Sequence, residues 1–367
     1  MLEIADIFRQ YGPAYIARYK GQILPSHERA IQDIINCRTP ALGGQAFLCS
    51  SCHEMVYSYH SCMNRHCPKC QNDQAEEWLA KQRKLLLPVP YFLVTFTLPK
   101  ELRPVARSNQ KLIYRILFQT SAAAMQQLAR DPKYLGGRMG AIGVLHTWTR
   151  TLTYHPHVHY LVPAIGVSDD LSTWMKTQKK FFLPVKALSK IFRAMFREAL
   201  KKEAPELFAR IPKAVWYRDW VVHCKPAGNG DSVLKYFAPY IFRVAISNKR
   251  LVKLENDRVT FRYKHPKTKE WCQMTVPVFE FMRRFLQHVL PRGFKKVRHY
   301  GILSSKHKPT LARLKLVFGE VEAEPEPKMP FRPLCPVCGK PMRLVMRVPP
   351  YPARASPNKR AEVAAGA

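Results

Sequence analysis

Three histidines at alternate positions, His155, His157 and His159, stand in the run Tyr154-HPHVH-Tyr160. On a β-strand, residues i and i+2 face the same side, so His157 and His159 project their imidazoles together into one site. Two neutral imidazoles suit a divalent cation, and a third polar ligand leaves room for a phosphate oxygen. His146, in the preceding strand-like run, is the candidate third ligand. A lone histidine is usually a packing residue; three at this spacing point to metal or phosphate chemistry.

Downstream stands Tyr236-x-x-x-Tyr240. At i and i+4 of a helix both hydroxyls lie on one face, about one turn apart. Alone, such a pair also fits the aromatic stripe of an amphipathic helix; with the histidines nearby it fits a nucleophile. A tyrosine hydroxyl, with a pKa near ~10, attacks poorly at neutral pH. A metal that polarises a phosphodiester draws electron density from phosphorus and stabilises the pentacoordinate transition state. The products are a 3′ hydroxyl and a 5′ phosphotyrosine, whose bond energy permits rejoining without ATP. Two tyrosines permit two successive cleavages.

The cysteines carry a second kind of chemistry. Cys49-x-x-Cys52 and Cys67-x-x-Cys70 are two knuckles at close to zinc-ribbon spacing, which predicts one closed, tetrahedral structural zinc. Cys37, Cys62 and His66, with His27 nearby, are candidates for a second zinc or for buried thiols. Arg65 and Lys69, with Arg38, interleave with these ligands and would make the ribbon a DNA-binding surface. Cys335-x-x-Cys338 lacks an obvious partner pair: it recruits His299 or His307, or it remains a free reduced pair. No thioredoxin-like βαβ pattern surrounds any of these pairs, which argues against a redox role.

Charge names the partner class. Lys and Arg total 60 against 26 acidic residues, a formal net charge of +34 spread along the whole chain. Each cation set on a phosphate releases a condensed counterion, so this excess favours nucleic acid before any base is read. A ribosome-like structural protein would share the charge. A membrane partner is not expected, since no run of 18 apolar residues and no basic helix with a sustained apolar face stands out. The start, MLEIADIFRQYG, has no apolar leader core. Cysteine pairs without a leader fit metal ligation in a reducing bacterial cytoplasm, on the nucleoid.

The elements that must position these groups predict an α+β chain. Residues 1–36 and 74–87 read as helical, and Pro88 closes the first region. Tyr91–Pro99 is a buried strand, a helix follows over 101–130, and 141–150 with 157–167 form a hairpin. Strand, helix, hairpin is the opening of a ferredoxin-like split unit. A basic amphipathic helix spans 184–202, and a strand lies in AVWYRDWVVHCKP. A helix capped by Asp231 or Ser232 carries both tyrosines. A basic hairpin spans 259–277, and a helix follows in PVFEFMRRFLQHVL. Past residue 304 the chain is Pro- and charge-rich, with an AEVAAGA tail of disordered composition. The expected domains are therefore 1–88, helical and zinc-binding; 89–303, the histidine–tyrosine domain on an antiparallel sheet with helices; and 304–367, basic and Pro-rich.

Five segments together resemble the rolling-circle transposases of insertion sequences, the ISCR-like group with an N-terminal zinc-binding domain and a two-tyrosine HUH nuclease domain. They are CRTPALGG (37–44), SCMNRHCPKCQ (61–71), LHTWTRTLTYHPHVH (145–159), KYFAPYIFRVAISN (235–248) and GFKKVRHYGIL (293–303). The resemblance implies that His157 and His159 hold a Mg or Mn ion and that Tyr236 and Tyr240 are the nucleophiles. It implies single-strand cleavage and rejoining through a covalent 5′ phosphotyrosine, on single-stranded or melted transposon ends. Arg243, Asn248, Arg250, Arg298, His299 and Tyr300 fall in matching segments and are candidates for DNA or phosphate contacts. Trp148 reads as a core or base-stacking residue. Members with a single tyrosine occur in this group; both positions are filled here.

Two other readings share the charge and the zinc. One is a zinc-ribbon DNA-binding protein without catalysis, which has no need of HPHVH together with YFAPY. The other is a plasmid replication initiator or conjugative relaxase, which uses the same chemistry in another process; the upstream ribbon favours the transposase.

Overall fold

A computed structural model describes residues 2–70, 72–177, 182–242, 245–320 and 333–351, without the side chains of 72, 73, 239, 240 and 242. The chain divides into two compact units, Met1–Gln71 with Glu326–Ala367, and Asn72–Pro325.

The first unit opens with a helical hairpin, α1 (Ile4–Arg18) and α2 (Pro25–Asn36). Glu3 and Asp6 close a capping box over the first turn of α1, satisfying N–H groups that a helix start leaves open. Ile4, Ile7, Phe8 and Tyr15 of α1 and Ala30, Ile31 and Ile34 of α2 are buried. Strands β1 (Gly44–Cys49) and β2 (Met55–Tyr59) follow, and a C-terminal strand, Met342–Val348, completes an antiparallel sheet with β1 in the centre.

The second unit runs α3 (Asn72–Arg83), β3 (Tyr91–Thr97), α4 (Arg103–Ser108), α5 (Gln110–Ala129), β4 (Arg138–Trp148), β5 (Tyr154–Pro163), β6 (Ile165–Val167) and β7 (Trp174–Lys176). It continues α6 (Val185–Glu203), α7 (Pro205–Ala209), β8 (Val222–Pro226), α8 (Asp231–Phe242), β9 (Leu251–Glu255), β10 (Arg258–Lys264), β11 (Trp271–Pro277), α9 (Val278–Leu286), β12 (Val297–Gly301) and α10 (Lys308–Phe318). The main sheet has the order β7-β6-β4-β5-β3-β8, with β12 also paired to β4. Strands β3 and β4 are joined through α5 and flank β5, each antiparallel to it, so the split β-α-β-β unit read from the sequence is present.

Alternation along the strands gives the sheet two different faces. Phe92, Val94, Phe96, Val158, Tyr160 and Val162 point into a core shared with α5 and α6. On the other face, Ile142, Val144 and Leu161 pack with Leu234 and Phe237 of α8 and with Leu311 and Leu314 of α10. The remainder of that second face carries polar side chains and is where the site lies.

Three expectations change. The helix expected over 101–130 is two helices, because Asn109 adopts φ −130, ψ 45 between them. The first unit ends at Gln71, before α3, whose Arg83 pairs with Asp231 at the start of α8, rather than at 88. The region past 304 is not one Pro-rich extension: α10 belongs to the second unit and 333–351 to the first. The AEVAAGA tail lies outside the described residues.

Candidate active site and cysteine clusters

The β4–β5–β3–β8 ladders bring the polar residues into rows. His146 pairs with His157, and His157 with Thr97; one step along, His159 pairs with Thr95, and Thr95 with His223. Directly paired residues of antiparallel strands share a face, so the three histidines converge. Their donor atoms lie within 4.8 Å of one another. His157 and His159 line a cleft of about 900 Å³, together with His155, Thr95, Lys225 and Tyr236. His146 stands at the back, buried, its ring stacked on Trp148 at 5.6 Å and 12°. The Lys296 ammonium lies 4.6 Å over the far-reaching Trp148 ring, so Trp148 is packing support for His146.

Hydrogen bonds set the imidazoles. His157 donates from Nδ1 to the His155 carbonyl at 2.6 Å, which leaves its Nε2 as the electron-pair donor. His159 Nδ1 lies 2.8 Å from the Thr95 hydroxyl, and His155 Nδ1 lies 2.6 Å from the Arg103 guanidinium. Burial pushes the whole cluster down. His157 falls to about 4, chiefly by burial and then by Arg103. His155 falls to about 4 by burial, His157 and Arg103, while His146 is held well below the usual histidine range by burial, His159, His157 and Lys296, and His159 by burial, His157 and Lys225. Near pH 7 these rings are neutral, the form a cation needs.

Helix α8 brings Tyr236 over the cluster. Gly228 and Gly230 turn the chain off β8 with φ of +58 and +83, and a Cβ at Gly230 would stand 3.0 Å from the Tyr91 ring. Asp231 then anchors the helix start through Arg83 at 2.7 Å and Lys235 at 2.9 Å. Phe237 is fully buried beneath it. Tyr236 remains 43% exposed, enough for a substrate to reach it, with its ring 6.2 Å from the rings of both His146 and His159. Tyr240 lies on the same helix, but its side chain is outside the described residues, as is Arg243.

The eight cysteines of the first unit form two groups of four, and the grouping differs from the sequence expectation. Cys67 and Cys70 sit with Cys37 and Cys62, whereas Cys49 and Cys52 sit with Cys335 and Cys338. His66 is buried but is not in either group, nor is His27. The physical reason is the sheet register: the C-terminal strand pairs Met342 with Cys49 and so delivers its knuckle to the first one. Backbone N–H groups of Cys52 and Ser51 hold Cys49 down to about 6. Asn64 binds Asp33 of α2 at 2.8 Å and accepts from the His66 and Cys67 amides, fixing the other knuckle.

The basic residues singled out from the sequence are largely engaged within the fold. Lys69 pairs with Glu3 at 2.7 Å, and Arg65 is partly buried, which lowers its pKa. Arg250 donates to the carbonyls of Arg262 at 2.7 Å and Arg150 at 2.6 Å. Arg298 lies 4.5 Å over the Phe118 ring, and Tyr300 donates to the Phe118 carbonyl. His299 binds Gln82 at 2.6 Å and takes no part in a cysteine cluster. Sequence reasoning missed Thr95 and Lys225 at the cleft and Arg103 on His155; the alternation Thr95-Phe96-Thr97 in an otherwise apolar strand is the signal that marks its polar face.

Comparison with known proteins also separates a zinc-binding from a transposase region, with bounds that differ from those of the two compact units. Residues 140–310 match the family described as "Putative transposase", and 7–98 match the "Transposase zinc-binding domain" of the IS91 type. The chain is 40% identical over 324 residues to "Putative transposase y4qJ" of Sinorhizobium fredii, covering 83% of this chain and 81% of that protein. The chain belongs to the IS91-type insertion-sequence transposases. The transposase is also 28% identical over 295 residues to "Transposase for insertion sequence element IS801" of Pseudomonas savastanoi pv. phaseolicola, covering 75% and 70% of the two. No solved structure matches it significantly. As a transposase it acts on DNA, and among its described residues no helix is long and apolar enough to cross a membrane.

Proposed function

We propose that this transposase cuts and rejoins single DNA strands through a 5′ phosphotyrosine on Tyr236, in rolling-circle transposition. The observation that carries this reading is Tyr236 exposed over three converging, neutral histidines at one cleft. His157, His159 and His146 form a neutral nitrogen donor set able to hold a divalent cation; the family resemblance implies Mg or Mn, and such an ion when bound would polarise the scissile phosphate.

The chain's own groups do the rest. Thr95 and the His155 carbonyl hold the imidazoles in place. Arg103 and Lys225 bring positive charge to the edge of the cleft, where a phosphate backbone would lie. The Tyr236 oxygen forms a bond to phosphorus as the bond to the 3′ oxygen breaks; the phenol loses its proton and the departing oxygen gains one. The second tyrosine, Tyr240, on the same helix would take the second strand. On the three-stranded sheet, Trp271 is 59% exposed with Arg262 and Lys264 at its ring, a surface suited to stacking an unpaired base. Zinc at Cys37, Cys62, Cys67 and Cys70 would hold the first unit in shape.

The deciding experiment incubates the protein with labelled single-stranded DNA from the element's own ends and Mg or Mn, resolved on a denaturing gel. A metal-requiring protein–DNA adduct that is lost in Tyr236→Phe or in Tyr236→Phe/Tyr240→Phe is the expected result. Intact DNA binding without any adduct would favour the non-catalytic zinc-ribbon protein.

A further inference from the structure

We infer that the C-terminal Cys335-x-x-Cys338 knuckle completes a second zinc site with Cys49 and Cys52, so that the zinc-binding module draws its ligands from both ends of the chain. The family match for zinc binding covers only 7–98 and therefore contains only half of this donor set.

The two knuckles are built alike. In the first, the Cys49 amide donates to the Glu54 carbonyl at 2.9 Å and the His53 amide to the Cys49 carbonyl at 3.1 Å. In the second, Cys335 donates to the Lys340 carbonyl at 2.8 Å and Gly339 to the Cys335 carbonyl at 2.9 Å. The fifth residue of each turn is left-handed, His53 with φ +57 and Gly339 with φ +70. Amides of Ser51 and Cys52 point at the Cys49 sulfur, and amides of Val337 and Cys338 at the Cys335 sulfur. Both turns thus present thiolates in the same way.

Their sulfurs interlock across the sheet. Cys49 Sγ lies 3.5 Å from Cys338 Sγ, and Cys52 Sγ 3.4 Å from Cys335 Sγ, with all four within 4.8 Å. Tetrahedral coordination at a Zn–S distance of about 2.3 Å places sulfurs roughly 3.8 Å apart, close to this arrangement. Four thiolates leave no open position, so the ion is structural. It fastens the C-terminal strand to β1, next to the backbone ladder from Cys49–Met342 to Gly44–Val348. Beneath it Phe47 and Met342 form only a small apolar cluster with Cys49 and Cys335, too little to hold two chain ends together without help.

The test is zinc stoichiometry and thiol protection on the full-length protein. Two zinc ions per chain are expected, falling to one in Cys335→Ser/Cys338→Ser. Cys52 and Cys338 are exposed in the fold, so iodoacetamide should modify them only after a chelator is added. That second readout needs no variant and survives if the double substitution misfolds. One zinc in the wild type with rapid native alkylation of Cys52 and Cys338 would overturn the proposal. So would a mass loss showing Cys49–Cys338 and Cys52–Cys335 disulfides, or iron in place of zinc. None of these outcomes depends on tyrosine chemistry, so strand cleavage and the second zinc stand or fall separately.

Discussion

His146 faces His157 directly across the β4–β5 ladder, with ring centroids 5.4 Å apart, and it is the deepest member of the histidine cluster. Its wall is Trp148, which in turn carries Lys296. If His146 is a ligand, His146→Ala should shift the Mn titration of adduct formation as far as His157→Ala does. Both shifts should exceed the roughly 10- to 100-fold typical of losing an outer-shell partner. An unchanged titration in His146→Ala, with His157→Ala impaired, would leave His146 as a packing residue stacked on Trp148.

Thr95 acts on the site through His159. Its hydroxyl, 2.8 Å from Nδ1, orients the ring. Thr95→Val keeps the shape and removes the hydrogen bond, so apparent Mn affinity should fall about 10- to 100-fold. Adduct formation should recover at saturating Mn, which a fold defect would not allow. Melting temperature measured alongside separates the two.

How far these groups were legible depends on how local their cause is. The convergence of His157 and His159 was readable because strand period two is written in five consecutive residues, and the helix that carries Tyr236 because Asp231 opens it in plain sight. The cysteine partners were not, because sequence spacing favours the nearest pair. The true partner of Cys49 is chosen by a strand more than 280 residues away. A signal did exist: Leu48-Cys-x-x-Cys and Leu334-Cys-x-x-Cys repeat the same knuckle, and the two together with Cys37, Cys62, Cys67 and Cys70 make two complete sets of four. Arginine roles were hardest to read, since a guanidinium takes whatever acceptors the fold brings near it.

The buried histidines also make stability depend on pH. His155 and His157 sit at about 4 in the fold, against an ordinary value near ~6.5. A depressed folded pKa means that the unfolded chain takes up protons first as pH falls. Their stabilising contribution is therefore complete above about 6.5 and is lost progressively as pH falls through 4. Urea midpoints of the chelator-treated protein should fall across this window, and less so in His157→Gln. A flat profile between pH 7 and 4 would contradict the burial of the cluster.

Arg250 decides between two uses of a cation. It lies in a segment where DNA contacts were expected, yet its guanidinium donates to the carbonyls of Arg150 and Arg262, tying the β4–β5 turn to β10. Charge-assisted hydrogen bonds of this kind contribute about 1.5–3 kcal/mol each when shielded and less at an exposed site, so Arg250→Ala should cost about 1–3 kcal/mol of stability. A phosphate contact behaves differently, because its loss lowers the slope of log affinity against log salt by roughly 1. Arg250→Ala should leave that slope unchanged while lowering the urea midpoint. Lys264→Ala, beside the exposed Trp271, should lower the slope and leave the midpoint nearly as it was. The opposite pattern would return Arg250 to the DNA interface and take the three-stranded sheet out of it.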